Sequence, residues 1–317
     1  MRITEVLTRI DAKVETQVKR AATQHRRALQ EALRRECGLA LQGDGDPVQV
    51  RVTVEPGWPT ALGQVELPDN YAQLIELARY RRQLKALAVS GETLASVSPE
   101  TLAAVETASR RDPRPSLREL VAWAQQALML LDQQDPMRPI LAINEDILGV
   151  YRYWPTATAD DDRSPNRASI ELYWMVIGLV SDMLGCSVED LTAVVLIHEL
   201  AHAFTQLGAD TDGRRWPAAD FGRAETGLKE GLAQYYTHRV LELRRSESPG
   251  PWEAYRSLVL RQPPAYRAHR EWIEEFYPEA VRRALVEARR WREGRLEQFH
   301  RRLEEAQAGL PAEERFT

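Results

Sequence analysis

Residues 191–204 read Leu-Thr-Ala-Val-Val-Leu-Ile-His-Glu-Leu-Ala-His-Ala-Phe, an almost wholly apolar stretch that contains the pattern HExxH. Apolar residues on nearly all sides predict a helix that is buried in the protein. Ser187, as an N-cap, predicts that this helix begins near Val188. Because residues four apart on an α-helix share a face, His198 and His202 would lie one above the other.

This pair of histidines indicates a metal site. Two buried imidazoles and the buried carboxylate of Glu199 would lower the stability of the protein if they had no partners. A zinc ion bound by His198 and His202 would supply those partners, and Glu199 would lie beside it, where a carboxylate can activate a water molecule. The alternative is that two histidines of an ordinary core fall four residues apart by chance, which is the known weakness of so short a motif.

Glu230 is the predicted third ligand, because a catalytic zinc site needs three protein ligands and one open position. Residues 226–245 predict a second helix, in which the small side chains of Gly231 and Ala233 allow another helix to come close. The rival ligand is Glu225, but five residues from Glu230 it would point elsewhere and lie before the helix begins. The alternative for Glu230 is an exposed glutamate that is favoured by the helix dipole.

The two motifs together resemble the gluzincin group of zinc metallopeptidases. The resemblance covers residues 168–240 and is carried by His198-Glu199-x-x-His202 and, after 27 intervening residues, Glu230-Gly231-Leu232-Ala233-x-Tyr235. It implies that His198, His202 and Glu230 bind Zn²⁺, that Glu199 is the general base, and that the substrate is a peptide or protein. It also implies a small sheet above the active-site helix. The third histidine of the metzincin pattern is absent.

The segment before the HExxH motif predicts strands. Arg138–Ile143, Leu148–Trp154 and Ser169–Tyr173 are short runs of apolar, aromatic or alternating residues. Trp174–Leu184 then predicts an apolar helix, which Gly185 ends. We expect Ser169–Tyr173 to be the edge strand that pairs with an extended substrate. An ordinary hairpin strand is an equally good interpretation of that segment.

Peptide hydrolysis also needs a hydrogen-bond donor for the negative charge that develops on the carbonyl oxygen. Tyr235 and His238, on the second helix, are the candidates for this catalytic role, ahead of Tyr236 and Tyr173. The alternative for each of them is a packing role in the core. The histidines that we expect to be exposed, because they fall in charged helical stretches, are His25, His269 and His300.

The segment 208–227 between the two helices is rich in glycine, aspartate and proline, which predicts a loop. Two interpretations are open: the loop lines a substrate pocket or forms a lid, or it is a solvated connection with one aromatic side chain in the core. The residues concerned are Trp216, Phe221 and Arg223. A carboxylate of the loop would orient a ligating histidine through its second ring nitrogen. The candidates are Asp210, Asp212 and Asp220.

The composition limits the possible classes of function. With 44% hydrophobic residues, 28% charged residues and a net charge of −5, the chain is typical of a globular protein without general attraction for nucleic acid. No apolar run is long enough to span a membrane, and the charged N-terminal residues are unlike a signal peptide. Two cysteines are too few for a disulfide framework. We therefore expect a cytoplasmic protein without nucleic-acid or membrane partners.

We expect a predominantly helical α+β fold in three parts. Residues 1–136 would form a mostly helical region with a short β element near 48–67. Residues 137–245 would form a zincin-like catalytic domain, in which a small sheet lies above the HExxH helix. Residues 246–317 would form C-terminal helices that pack on or near that domain.

More detailed expectations concern the two outer regions. The elements predicted for the first are a long helix over 2–36, an alternating strand over 48–54 that pairs with 64–67, a helix over Tyr71–Ala88, a helix from Ser98 and a capped helix over Leu117–Leu131. Arginine and glutamate alternate over 278–309, which favours a solvated, salt-bridged helix over a nucleic-acid surface. Such a helix could also dock across the active-site cleft, which resembles the inhibitory element of some small gluzincin-like zymogens.

These patterns favour one function, with two alternatives left open. The favoured function is a zinc-dependent metallopeptidase with a specific intracellular substrate. One alternative is a catalytically silent, peptidase-like binding or regulatory module, but a pure scaffold has no need of Glu199. The other is a metallohydrolase that acts on a non-peptide bond.

Overall fold

The computed structural model describes residues 3–41, 48, 50–57, 69–95, 116–141, 147–153 and 168–311. It is mostly helical, with a small mixed sheet of three strands. This is the predicted balance of helix and strand. The predicted strand near 64–67 and the helix from Ser98 lie outside the described residues.

Most of the described elements are helices, and the three strands of the sheet lie far apart along the chain. The strands are β1 (Val50–Glu55), β2 (Gly149–Tyr153) and β3 (Ala168–Tyr173). The helices before β3 are α1 (Ile3–Leu7), α2 (Lys13–Cys37), α3 (Asp69–Ala78), α4 (Arg81–Ala95), α5 (Leu117–Gln134) and α6 (Arg138–Leu141). Those after β3 are α7 (Trp174–Leu184), α8 (Val188–Leu207), α9 (Ala218–Arg223), α10 (Thr226–Leu243), α11 (Pro249–Val259), a 3₁₀ turn over Pro264–Arg267, α12 (His269–Glu275), α13 (Pro278–Arg290) and α14 (Leu296–Ala308).

The HExxH helix, α8, lies at the centre of the fold. It begins at Val188, as predicted, because the hydroxyl of Ser187 accepts a hydrogen bond of 3.0 Å from the backbone N–H of Asp190. Every residue from Leu191 to Leu207 is buried. The helix packs against α2, α10, α11 and the sheet. A helix that is apolar on all sides is stable only in such surroundings.

The sheet has the strand order β1-β3-β2. β1 pairs with β3 in parallel, and β2 pairs with β3 in antiparallel orientation. The prediction that Ser169–Tyr173 forms an edge is therefore wrong, because β3 is the central strand. Its parallel neighbour β1 comes from far earlier in the chain, and alternation within a single segment does not reveal so distant a partner.

Several local predictions are confirmed and others are wrong. The helix Trp174–Leu184 ends at Gly185, which adopts a left-handed conformation with φ 68°. The capping box of Ser116 and Glu119 begins α5. By contrast, the predicted strand over Arg138–Ile143 is wrong, because its described part forms the short helix α6.

Two predicted helices are each divided. The helix predicted over 2–36 is interrupted between α1 and α2, where the carboxylate of Asp11 accepts a hydrogen bond from the backbone N–H of Lys13 and so starts a new helix. The helix predicted over Tyr71–Ala88 is interrupted at residues 79–80, between α3 and α4. The helical spacing of apolar residues continues across both breaks. The sequence pattern therefore does not show where the chain changes direction.

The tail is more than a solvated helix. It forms two helices whose apolar faces are buried, with Val281 and Leu285 on α13 and Phe299 and Leu303 on α14. Arg289 of α13 is buried as well, and it donates hydrogen bonds to the carbonyl oxygens of Gly208 and, at 2.8 Å, Arg214. A cation at this position caps the C-terminal end of α8 and complements its dipole.

A continuous cluster of buried apolar side chains includes residues from α1, α2, α8, α10, α13 and α14. Among the described residues, no helix combines the length and the apolarity needed to cross a bilayer.

The packing of α10 predicts a difference between two glycines of the same helix. A Cβ atom at Gly231 would lie 2.6 Å from the ring of Trp272, which is buried and rigid, whereas a Cβ atom at Gly227 would meet its nearest neighbour, Leu296, at 3.5 Å. We expect Gly231→Ala to lower the free energy of unfolding by about 1–2 kcal/mol through overpacking. Gly227→Ala should leave it unchanged or raise it, because alanine favours the helix. Urea denaturation measures both, and equal effects would contradict this account.

Candidate metal centre

Three buried side chains converge between α8 and α10. Nε2 of His198 lies 3.2 Å from Oε2 of Glu230, and Nε2 of His202 lies 3.4 Å from the same oxygen. One donor atom from each residue lies within 4.8 Å of the other two. The structure therefore brings together the three residues that the sequence predicts as ligands, and this group could hold a metal ion.

The separations of the donor atoms fit a small divalent ion. Ligand bonds of about 2.0–2.2 Å in a tetrahedral zinc site place neighbouring donor atoms about 3.3–3.5 Å apart. The two histidine–glutamate separations are close to that range. Two imidazole nitrogens and one carboxylate oxygen are also the donor set of several catalytic zinc sites, in which one position stays open for a further ligand.

The direction of the helix α10 decides which glutamate reaches the site. Glu230 lies in the second turn of α10 and faces α8. The rival, Glu225, precedes the helix and accepts a hydrogen bond of 2.9 Å from the backbone N–H of Leu296. Its carboxylate is therefore directed towards α14, as the spacing argument against Glu225 requires.

The electrostatic environment keeps Glu230 ionised. Burial by itself raises the pKa of this carboxyl group, but the charge of His202 and the hydrogen bonds from both histidines lower it by more. The net result is a pKa well below the usual range for glutamate. A carboxylate that is anionic in a buried position is suited to a cationic ligand.

Glu199 lies beside this group. It is 1% exposed, and it lines the same cavity as His198. One of its carboxylate oxygens lies 3.2 Å from the point where a Cβ atom on Gly149 would lie. The absence of a side chain on Gly149 therefore leaves space for Glu199 under β2. No pattern in the sequence distinguishes Gly149 from the other glycines.

Aromatic rings lie against the two histidines. Tyr266 stacks on His198 with ring centroids 6.0 Å apart, and Tyr151 stacks on His202 at 6.2 Å. The hydroxyl of Tyr151 donates a hydrogen bond of 2.6 Å to the side chain of Gln206. These contacts restrict the orientation of both imidazoles.

The aspartates proposed as orienting groups make other contacts. Asp210 accepts hydrogen bonds from the backbone N–H groups of Asp212 and Arg214, within its own loop. Asp212 pairs with Arg290 at 2.8 Å. Asp220 pairs with Arg223 and, at 3.6 Å, with Arg292. Nδ1 of His198 is buried, and no described residue offers it a hydrogen bond.

The segment 208–227 between α8 and α10 is not a loop throughout, because it contains α9, and it places two aromatic side chains rather than one in the core. Trp216 and Phe221 are both buried, and their rings meet edge to face with centroids 5.5 Å apart. Phe221 also contacts the rings of Tyr151 and Tyr153. The side chain of Arg223 is largely exposed. The segment therefore packs against β2 through Phe221, and none of these three residues lines the cavity beside Glu199.

Tyr235 and His238 lie on other faces of α10. Tyr235 packs against Tyr236 with ring centroids 5.2 Å apart, and His238 packs against Trp252 at 5.1 Å. Neither lines the cavity that contains His198 and Glu199, whereas Tyr266 does. Tyr266 belongs to a 3₁₀ turn in a segment without a motif, so no signal in the sequence could have found it.

His269 corrects another expectation. It is buried rather than exposed, with Nδ1 3.0 Å from the carbonyl oxygen of Tyr266 and Nε2 2.9 Å from the hydroxyl of Tyr255. Burial is the main cause that lowers its pKa to about 3. The neutral ring therefore joins Tyr266 to Tyr255. The other two histidines expected to be exposed, His25 and His300, are partly buried.

The chain matches no protein-family model, no curated protein and no solved structure. Any statement on function therefore rests on the geometry and chemistry of this site.

The site predicts a specific pattern of metal binding. The wild-type protein, stripped by a chelator, should bind one equivalent of Zn²⁺ in equilibrium dialysis. Glu230→Gln should weaken that affinity more than about tenfold, because even a residue that only orients a ligand contributes that much. Glu225→Gln is the matched control and should bind as the wild type does. A loss of equal size in both variants would contradict the assignment of Glu230.

Proposed function

We propose that this protein is a zinc-dependent metallopeptidase whose catalytic region is zincin-like. The observation that carries the proposal is the buried group of His198, His202 and Glu230, with Glu199 beside it on the wall of a cavity. A metal-binding triad without a neighbouring base would be compatible with a structural site. The triad together with a buried glutamate supports hydrolysis.

The triad and Glu199 have separate roles in the proposed hydrolysis. A zinc ion bound at the triad supplies Lewis-acid activation of a water molecule near neutral pH. Glu199 accepts the proton of the attacking water and delivers it to the nitrogen of the leaving amine. The buried position of this carboxylate, 1% exposed, excludes bulk water from the proton transfer.

Tyr266 replaces Tyr235 and His238 as the proposed donor to the oxyanion. It stacks on His198 and lines the same cavity as Glu199. The hydrogen bond between its carbonyl oxygen and His269 fixes the backbone of the 3₁₀ turn that carries it. A donor held in place before the reaction stabilises the developing charge without reorganisation.

The edge strand β2 supports a peptide as the substrate. The backbone N–H of Tyr173 bonds to the carbonyl oxygen of Leu148, so Leu148 and alternate residues after it face β3. The backbone groups of Gly149 and Tyr151 therefore face away from β3, on a side of β2 where no strand of the described residues pairs. An extended peptide can add to such an edge by main-chain hydrogen bonds, which favours a peptide over a non-peptide substrate.

The general base predicts the outcome of a conservative substitution. Glu199→Gln should retain one equivalent of Zn²⁺ and lose peptide hydrolysis by at least about 10²–10⁴-fold, because the amide cannot accept the proton of the water. A peptide library analysed by mass spectrometry measures the cleavage, and metal analysis of the same sample measures the zinc. A Glu199→Gln protein that is fully active would overturn the role of Glu199. Zinc binding without any cleavage by the wild type would favour a binding module.

Two tyrosines provide a matched test of the oxyanion donor. Tyr266→Phe should lower kcat by about 10²–10³-fold with little change in KM, because only the transition state uses the hydroxyl. Tyr235→Phe, on the other side of α10, should leave kcat near the wild-type value. The reverse order of effects would restore Tyr235 as the donor. Steady-state kinetics with a peptide from the library distinguishes the two results.

A further inference from the structure

The cavity beside Glu199 has a wall of aliphatic side chains from several elements. Its aliphatic lining consists of Leu141, Ile147, Leu148, Val194, Val195 and Leu258. These residues come from α6, the two positions before β2, α8 and α11, so the cavity lies between α8 and the edge strand β2. A side chain that enters it from a peptide on β2 would exchange water for apolar contacts.

The size of the cavity limits what can enter. Its volume is about 40 Å³. One water molecule, which has a single non-hydrogen atom, needs about 10–15 Å³ of cavity volume. The cavity therefore accommodates roughly three to four non-hydrogen atoms. The side chains of valine and leucine match that size, whereas an aromatic side chain does not.

One polar group in the wall lacks a partner. The side chain of Gln234 is 3% exposed, and its nitrogen donates a hydrogen bond of 3.0 Å to the side-chain oxygen of Gln262. Its own side-chain oxygen is buried, and no described residue donates to it. A buried acceptor without a donor costs about 1–3 kcal/mol, and a bound ligand with a donor would remove that cost.

We infer that this cavity selects a peptide residue with a small branched aliphatic side chain, and that the oxygen of Gln234 accepts a hydrogen bond from the adjoining main-chain N–H. This inference rests on the proposed peptidase function and names its substrate preference. A peptide carries an N–H group next to every side chain, whereas a hydrocarbon chain of the same size does not. The aliphatic wall and the single acceptor are thus complementary to one class of ligand.

Succinyl hydroxamates test the aliphatic part on the zinc-loaded protein. Their hydroxamate group chelates the metal, and a substituent of hydrogen, isobutyl or benzyl probes the cavity. We expect the isobutyl compound to bind at least about tenfold more tightly than the unsubstituted one and more tightly than the benzyl compound. Equal affinities for all three would overturn the inference while leaving the proposed function intact. Failure of every compound, the unsubstituted one included, to bind would overturn the proposed function and the inference together.

A variant that reverses the order of affinity for the isobutyl and benzyl compounds gives a result that misfolding cannot explain. Leu258→Ala enlarges the cavity, so the benzyl compound should become the best ligand. Leu285→Ala is the matched control, because Leu285 is equally buried in α13 and does not line the cavity. It should retain the preference of the wild type. A benzyl compound that stays weaker with Leu258→Ala, or that gains equally with Leu285→Ala, would overturn the assignment of this cavity.

An isobutyl succinyl hydroxamate whose other end is an N-methyl amide, compared with the corresponding methyl ester, tests Gln234. The ester lacks the N–H next to the aliphatic group, so it should bind the wild type about five- to tenfold more weakly than the amide does. With Gln234→Leu, amide and ester should bind equally, since the acceptor is gone. An equal loss in both proteins would show that the N–H bonds elsewhere and would overturn the role of Gln234.

Discussion

Glu230 holds one carboxylate oxygen within 3.4 Å of Nε2 of both His198 and His202, and this contact joins α10 to α8 in the interior of the protein. A buried anion there is stable only with cationic or hydrogen-bonding partners, and the same requirement makes the group suitable for a metal ion. The packing around it keeps the two helices in register. Gly231 lets Trp272 lie directly on the backbone of α10, one residue after the carboxylate.

β2 and the 3₁₀ turn over Pro264–Arg267 line a cavity beside this contact. β2 crosses α8 so closely that a Cβ atom at position 149 would lie 2.9 Å from the side chain of Val195 and 3.2 Å from that of Glu199. The 3₁₀ turn contributes Tyr266 to the lining of the same cavity, and the carbonyl oxygen of Tyr266 lies within hydrogen-bond distance of Nδ1 of His269. The proposed base, the proposed oxyanion donor and the aliphatic wall thus come from separate segments, and the order of the strands makes β2 one of the two edge strands among the described residues.

The features that the sequence predicted correctly are those with local causes. The cap at Ser187, the stop at Gly185 and the shared face of His198 and His202 each depend on residues within two helical turns. Glu230 was preferred to Glu225 as the third ligand because side chains five residues apart on an α-helix point in different directions. The central position of β3, the space at Gly149, the burial of His269 and the place of Tyr266 depend on segments far apart in the chain. No local pattern encodes those contacts, which is why these predictions were wrong or missing.

Arg289 connects the metal centre to the order in which the chain is made. This arginine donates hydrogen bonds to the carbonyl oxygens of Gly208, at the end of α8, and of Arg214, yet it follows both α8 and α10 in the sequence. During synthesis on a ribosome, α8 and α10 emerge before the residue that closes the end of α8. The end of α8 therefore receives its buried cation only when α13 docks, after the helices that carry His198, His202 and Glu230 have been made.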